Sequence, residues 1–207
     1  MNYPKYYDDV QSITLYDPLA QILGAFDDGL IRFKYMQIVK SAGHSCPTVA
    51  GAYLITLAGL EALYPSSEEI LPVRGQIKVE FKEALEDGVA GVIGNVISQI
   101  TGATDKSGFK GLNGNFARHS LMDYNSDINS SVRFTRLDNL GKKVKSVDVF
   151  YDPSNVGGNP KMQPLMQKVM MNQASQEEAK EFGELWQERV KKILIDNKEN
   201  VIRVEKV

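Results

Sequence analysis

The chain has 207 residues, enough to bury one substantial core, with 43% hydrophobic and 24% charged side chains and a formal net charge of -2. Its 24 basic residues stand against 26 acidic ones, so the positive excess that releases counterions from a nucleic acid backbone is missing and no nucleic-acid partner is expected. A single cysteine excludes an intramolecular disulfide and a paired-cysteine zinc finger.

The longest apolar stretch, Val49 to Leu63, is interrupted by Gly51, Thr56, Gly59 and Glu61 and falls short of the roughly 20 residues that span a bilayer. Residues Met1 to Asp9 have neither a basic start nor an apolar run, so no membrane partner and no secretory signal are expected, and the cytoplasm is the expected compartment.

From Asp17 to Phe26, Leu19, Ile22, Leu23 and Phe26 recur at helical spacing, with Asp17 as N-cap and Pro18 at the first helical position. A second helix is predicted over Phe33 to Ser41, with Phe33, Met36 and either Ile38 or Val39 on one face and Gly43 as terminator. Cys46-Pro47 then opens a helical pattern that runs to Tyr64 and stops at Pro65. Gln76 to Lys82 alternates Ile77, Val79 and Phe81 with polar neighbours, the period of a half-buried strand. Val89 to Thr101 suits a buried helix or a strand, the helix being preferred.

Val132 to Leu137 and Val144 to Tyr151 read as the strands of an antiparallel hairpin. Asp152 to Pro164 is punctuation. Beyond its Ser154 to Pro160 loop, Ser175 and Glu178 have capping-box spacing, and Phe182, Leu185, Trp186, Arg189, Val190 and Ile193 mark one face of a long helix. Val201 to Val204 is a last strand. The expected architecture is α+β: an antiparallel or mixed sheet packed with helices in residues 1–152, and a helical extension, 153–207, packed on that core or on a dimer partner.

Chemistry concentrates at Gly43-His44-Ser45-Cys46-Pro47. His44 and Cys46 stand two apart in a loop leading into a helix, where imidazole and sulfur can converge on one ion or one substrate atom. The helix start favours a negative sulfur, which is both a metal ligand and a nucleophile. In the bland alternative Cys46 is a small buried hydrophobe and His44 a loop hydrogen-bonder. His119 is the only other histidine. If the glycine-rich loop before it folds back on the helix start, His44, Cys46 and His119 give a divalent metal, zinc first, three ligands and an open fourth position; otherwise it is a surface or core histidine.

The run Gly108 to Asn115 lacks the Gly-x-x-x-x-Gly-Lys-Ser/Thr spacing of a nucleotide-hydrolysing loop. It can still close over a small-molecule ligand, with Lys110, Asn113 and Arg118 as candidate cofactor-binding residues. Asp105, Asp123 and Asp127 match no calcium loop and read as turn residues.

The Gly-His-Ser-Cys-Pro loop and the small-residue helix Thr48-Val49-Ala50-Gly51-Ala52-Tyr53 resemble the FmdE-like family, which takes its name from formylmethanofuran dehydrogenase. Asn95-Val96-Ile97-Ser98-Gln99-Ile100-Thr101-Gly102-Ala103-Thr104 is similar to that family's second motif, with Asn95 and Ala103 where its pattern has Asp and Cys. The likeness covers about residues 15–150, and the helix carrying Phe182 and Trp186 resembles the extension of some relatives. It implies an α+β core, a homodimer and a metal site at His44 and Cys46 with a poorer ligand set. His119 is no part of it. Two other readings stand beside a metal protein: a metal-free thiol enzyme using Cys46, and a cofactor-binding accessory protein.

Overall fold

In the computed structural model, which describes residues 3–207, the chain begins with a short 3-10 turn, Lys5–Asp9, and a strand, β1 (Ile13–Tyr16). The Asp17 carboxylate then caps α1 (Pro18–Ile22) by accepting from the Leu19 and Ala20 N–H groups. This helix is shorter than its apolar spacing predicts. It ends where Ala25 and Phe26 both donate to the Ala20 carbonyl and Gly24 takes a left-handed φ of 68°. Its apolar side chains Ile22, Leu23 and Phe26 are exposed.

The segment Leu30–Phe33 forms β2, antiparallel to β1, with Phe33 opposite Ile13. Phe33 therefore belongs to a strand rather than to the helix that its spacing with Met36 suggests. The helix itself, α2 (Tyr35–Ala42), buries Tyr35 and Ile38 and stops at Gly43, whose φ of 77° needs a residue without a Cβ.

The centre of the molecule is α3 (Pro47–Leu63), buried continuously from Val49 to Leu60. A helix apolar on all sides must be wrapped on all sides, and each fully buried Leu or Ile contributes roughly 1.5–3 kcal/mol. On one side α3 meets α4 (Ala90–Thr101), the helical alternative for that run. On the other it lies on a five-stranded sheet of order β4-β3-β5-β6-β7, comprising β3 (Ile77–Phe81), β4 (Met122–Asp123), β5 (Val132–Leu137), β6 (Lys143–Tyr151) and β7 (Ile202–Lys206). Only β3–β4 is parallel, so the sheet is mixed and the fold is α+β, as expected. Glycines on α3 allow close packing: a Cβ on Gly51 would fall 2.3 Å from the Tyr151 ring, and one on Gly59 would fall 2.6 Å from Phe134.

After β6 the chain forms α5 (Met162–Met170), α6 (Gln176–Lys191), a π turn (Lys192–Asp196) and the short α7 (Lys198–Val201) before β7 pairs with β6. The Ser175–Glu178 capping box starts α6 as predicted. Val190, Ile193, Leu194 and Val201 join the same core as α3, and Trp186 packs against it. Among the described residues no helix is long and apolar enough to cross a membrane.

Candidate functional site

The loop after Gly43 is held by four side chains from three elements. The Ser45 side chain is buried, its hydroxyl 2.8 Å from the Tyr35 hydroxyl. Its carbonyl accepts from Trp186 Nε1 at 3.0 Å and from Gln187 Nε2 at 3.2 Å, both on α6. Gln187 in turn accepts from the Tyr6 and Tyr7 hydroxyls. The Pro47 carbonyl accepts from the Tyr151 hydroxyl at 2.7 Å.

Within this frame Cys46 is the N-cap of α3, half-buried, its Sγ accepting from the Val49 N–H at 3.4 Å. Burial pushes the Tyr35 phenol up, the Ser45 hydroxyl opposing, and burial likewise pushes up the Tyr151 phenol; the nearby Cys46 sulfur adds to both shifts. Both rings therefore stay protonated, Tyr151 donating its one hydrogen to the Pro47 carbonyl and Tyr35 sharing a hydrogen bond with the Ser45 hydroxyl.

His44 is exposed at the edge of a pocket of about 260 Å³ that it shares with Asn95, Val96 and Gln99 of α4. Its Nδ1 lies 3.0 Å from the Ala42 carbonyl oxygen. A carbonyl can only accept, so Nδ1 carries a hydrogen, and in the neutral ring Nε2 is then the nitrogen with the lone pair. The two stretches singled out in the sequence, the His44 loop and the run containing Asn95, thus meet in space.

His119 lies elsewhere. It is half-buried in the glycine-rich loop, its N–H donating to the Phe109 carbonyl and its Nδ1 3.0 Å from Ser120 Oγ, and it does not line the His44 pocket. Among the described residues no three His, Cys, Asp or Glu side chains are grouped to hold a metal ion. Lys110 and Asn113 are exposed on the same loop. Arg118 is buried, and its Nη2 lies 2.7 Å from Asp17. Burial pulls its guanidinium below the ordinary value, while Asp17 opposes the shift. Asp105 closes a turn by accepting from the Ser107 N–H and hydroxyl, and Asp123 pairs with Lys78.

Tyr35, Tyr151 and Gln187 were not legible as part of this site. Each looks like an ordinary amphipathic residue of its own element, and nothing local marks which backbone carbonyl it reaches.

No curated protein matches the chain. A sequence profile of the family described as "FmdE, Molybdenum formylmethanofuran dehydrogenase operon" matches residues 42–203, from the end of α2 into β7. That span takes in the His44 loop, the helices α3 and α4 beside it and the α6 residues that hold it, and the chain belongs to the FmdE family.

Proposed function

We propose that the chain is a metal-binding protein, zinc first, in which His44 and Cys46 supply the protein ligands at the start of α3, with a small molecule as ligand or substrate in an open position. The observation that carries this reading is the contact between His44 Nδ1 and the Ala42 carbonyl oxygen. In the neutral ring that contact takes Nδ1–H and leaves Nε2 with an oriented lone pair, the arrangement that metal-bound histidines use. Cys46 adds a sulfur at the N-cap of α3, where its Sγ accepts from the Val49 N–H. Asn95 and Gln99 beside His44 offer only neutral amide oxygens, so imidazole and thiolate fit a borderline-soft divalent ion, with the remaining positions left to water or ligand.

When bound, such an ion polarises a water or carbonyl as a Lewis acid. The chain's own contribution is placement: Trp186, Gln187 and Tyr35 fix Ser45, and with it the residues on either side. The homodimer implied by the family belongs to the same proposal, and light scattering on the full chain measures it.

Elemental analysis of unchelated wild type beside His44→Ala and Cys46→Ser tests the reading. Serine keeps an oxygen at the helix cap, so loss of metal in that variant reports the sulfur rather than the fold. Near-stoichiometric metal lost in both variants is expected. Less than about a tenth of an equivalent in wild type overturns the proposal.

A further inference from the structure

We infer that the outer side of β7, a free edge of the main sheet, pairs antiparallel with β7 of a second copy of this chain about a two-fold axis at Val204. The inference rests on the homodimer proposed above and assigns it a surface. The order β4-β3-β5-β6-β7 leaves two edges, and β4 is only two residues long. The edge strand β7 has five, Ile202–Lys206, and no strand among the described residues pairs with its outer side.

The register with β6 decides which backbone groups that edge offers. The Asp152 N–H donates to the Val201 carbonyl and the Val207 N–H to the Ser146 carbonyl. Between them the bonded pairs of the ladder are therefore Phe150 with Arg203 and Asp148 with Glu205. Ile202, Val204 and Lys206 turn their backbone groups outward, but the Ile202 N–H is taken by the Lys198 carbonyl at the end of α7. Two copies centred on Val204 use what remains. The two Val204 residues exchange N–H···O bonds, and each Lys206 N–H donates to the partner's Ile202 carbonyl.

Charge singles out that register and the second copy as occupant. Ile202 and Val204 pack against the core, so Arg203 and Glu205 stand on the opposite face of β7, where both are exposed and touch each other within one chain. With the axis at Val204, each Arg203 lies directly opposite the partner's Glu205, twice over by symmetry. The neighbouring registers that also bond outward groups to outward groups are centred on Arg203 or on Glu205, and they set two arginines or two glutamates face to face. Like charges directly opposite destabilise a strand pair and unlike charges support it. Charges on an edge strand ordinarily deter pairing; here they favour one self-complementary, closed arrangement. Five residues paired edge to edge bury less than the roughly 1,600 Å² of a standard interface, so the dimer should dissociate on dilution, with a dissociation constant of about micromolar order or weaker.

Analytical ultracentrifugation of the full chain from about 1 μM to about 1 mM, with hydrogen exchange at both ends of that range, tests the pairing. Wild type is expected to dimerise, its Val204 and Lys206 amides exchanging more slowly at high concentration. Val204→Pro removes an outward N–H and no bond to β6, so it should be monomeric with an unchanged far-UV spectrum. Arg203→Glu should weaken dimerisation by about tenfold, and adding Glu205→Arg should restore it, because exchanging the charges rebuilds both cross-strand pairs. A dimer that Val204→Pro and Arg203→Glu leave intact overturns this surface and leaves the homodimer standing, as does a double variant no better than Arg203→Glu alone. A wild type still monomeric at about 1 mM overturns surface and homodimer together and leaves the edge to a strand of another protein. The metal reading of His44 and Cys46 is decided separately, by elemental analysis.

Discussion

Arg118 Nη2 lies 2.7 Å from Asp17 Oδ1, a buried ion pair between residues 101 positions apart. The same carboxylate caps α1 and stands 3.4 Å from Arg74 Nε, so one acid serves a helix start and two guanidinium groups. It fastens the β1–β2 segment to the glycine-rich loop.

Breaking this pair from one side strands a buried charge. Arg118→Met and Asp17→Asn are each expected to cost about 3 kcal/mol or more, and asparagine retains the cap, so its loss reports the charge alone. The double variant should be more stable than the sum of the two losses predicts. Urea unfolding of all four proteins measures the coupling, and strict additivity would refute it.

Gly51 and Tyr151 make a second test. A methyl group at Gly51 would meet the Tyr151 ring, which must then leave its bond to the Pro47 carbonyl. Gly51→Ala is expected to destabilise by about 1–3 kcal/mol despite the better helix propensity of alanine. Tyr151→Phe, which removes only the hydrogen bond, should cost about 1 kcal/mol. Thermal unfolding separates the two, and an alanine variant as stable as wild type would contradict the contact.

The Arg133–Asp148 pair predicts a pH dependence. The hydrogen bonds from Arg133 hold the Asp148 carboxyl below the usual carboxylate range, against the effect of burial. A folded-state value lowered in this way contributes stability that is fully present above the unfolded-state value of about 4. That stability is lost as pH falls through the lowered folded value. Asp148→Asn should therefore narrow the stability difference between pH 7 and pH 3, read from urea midpoints, and an unchanged difference would exclude the pair as a contributor.

Much of the frame could be read from local signals. Pro47 and Pro65 bracket α3, the alternation from Ile77 to Phe81 marks β3, and Ser175 with Glu178 starts α6. What escaped were elements decided by distant partners. β1 and β2 exist because they pair with each other, and that pairing takes Phe33 from the helix its spacing suggests. Pro160 and Pro164 read as loop punctuation, yet Pro164 falls in the first turn of α5, where a missing N–H costs little. The same limit governs the site. The motif located His44 and Cys46, while the side chains that hold their loop come from Tyr35, Tyr151, Trp186 and Gln187, at separations no local pattern encodes.

The clasp on Ser45 has a consequence for synthesis. Trp186 and Gln187 lie 141 and 142 positions beyond the carbonyl they hold. A nascent chain that has emerged only as far as β6 already contains His44 and Cys46 but lacks the indole and amide that set their loop. Contacts of such long range form late, after the chain that closes them is available. The ribosome thus releases His44 and Cys46 well before it releases what sets their geometry, and a growing chain passes most of its synthesis with the loop unclasped.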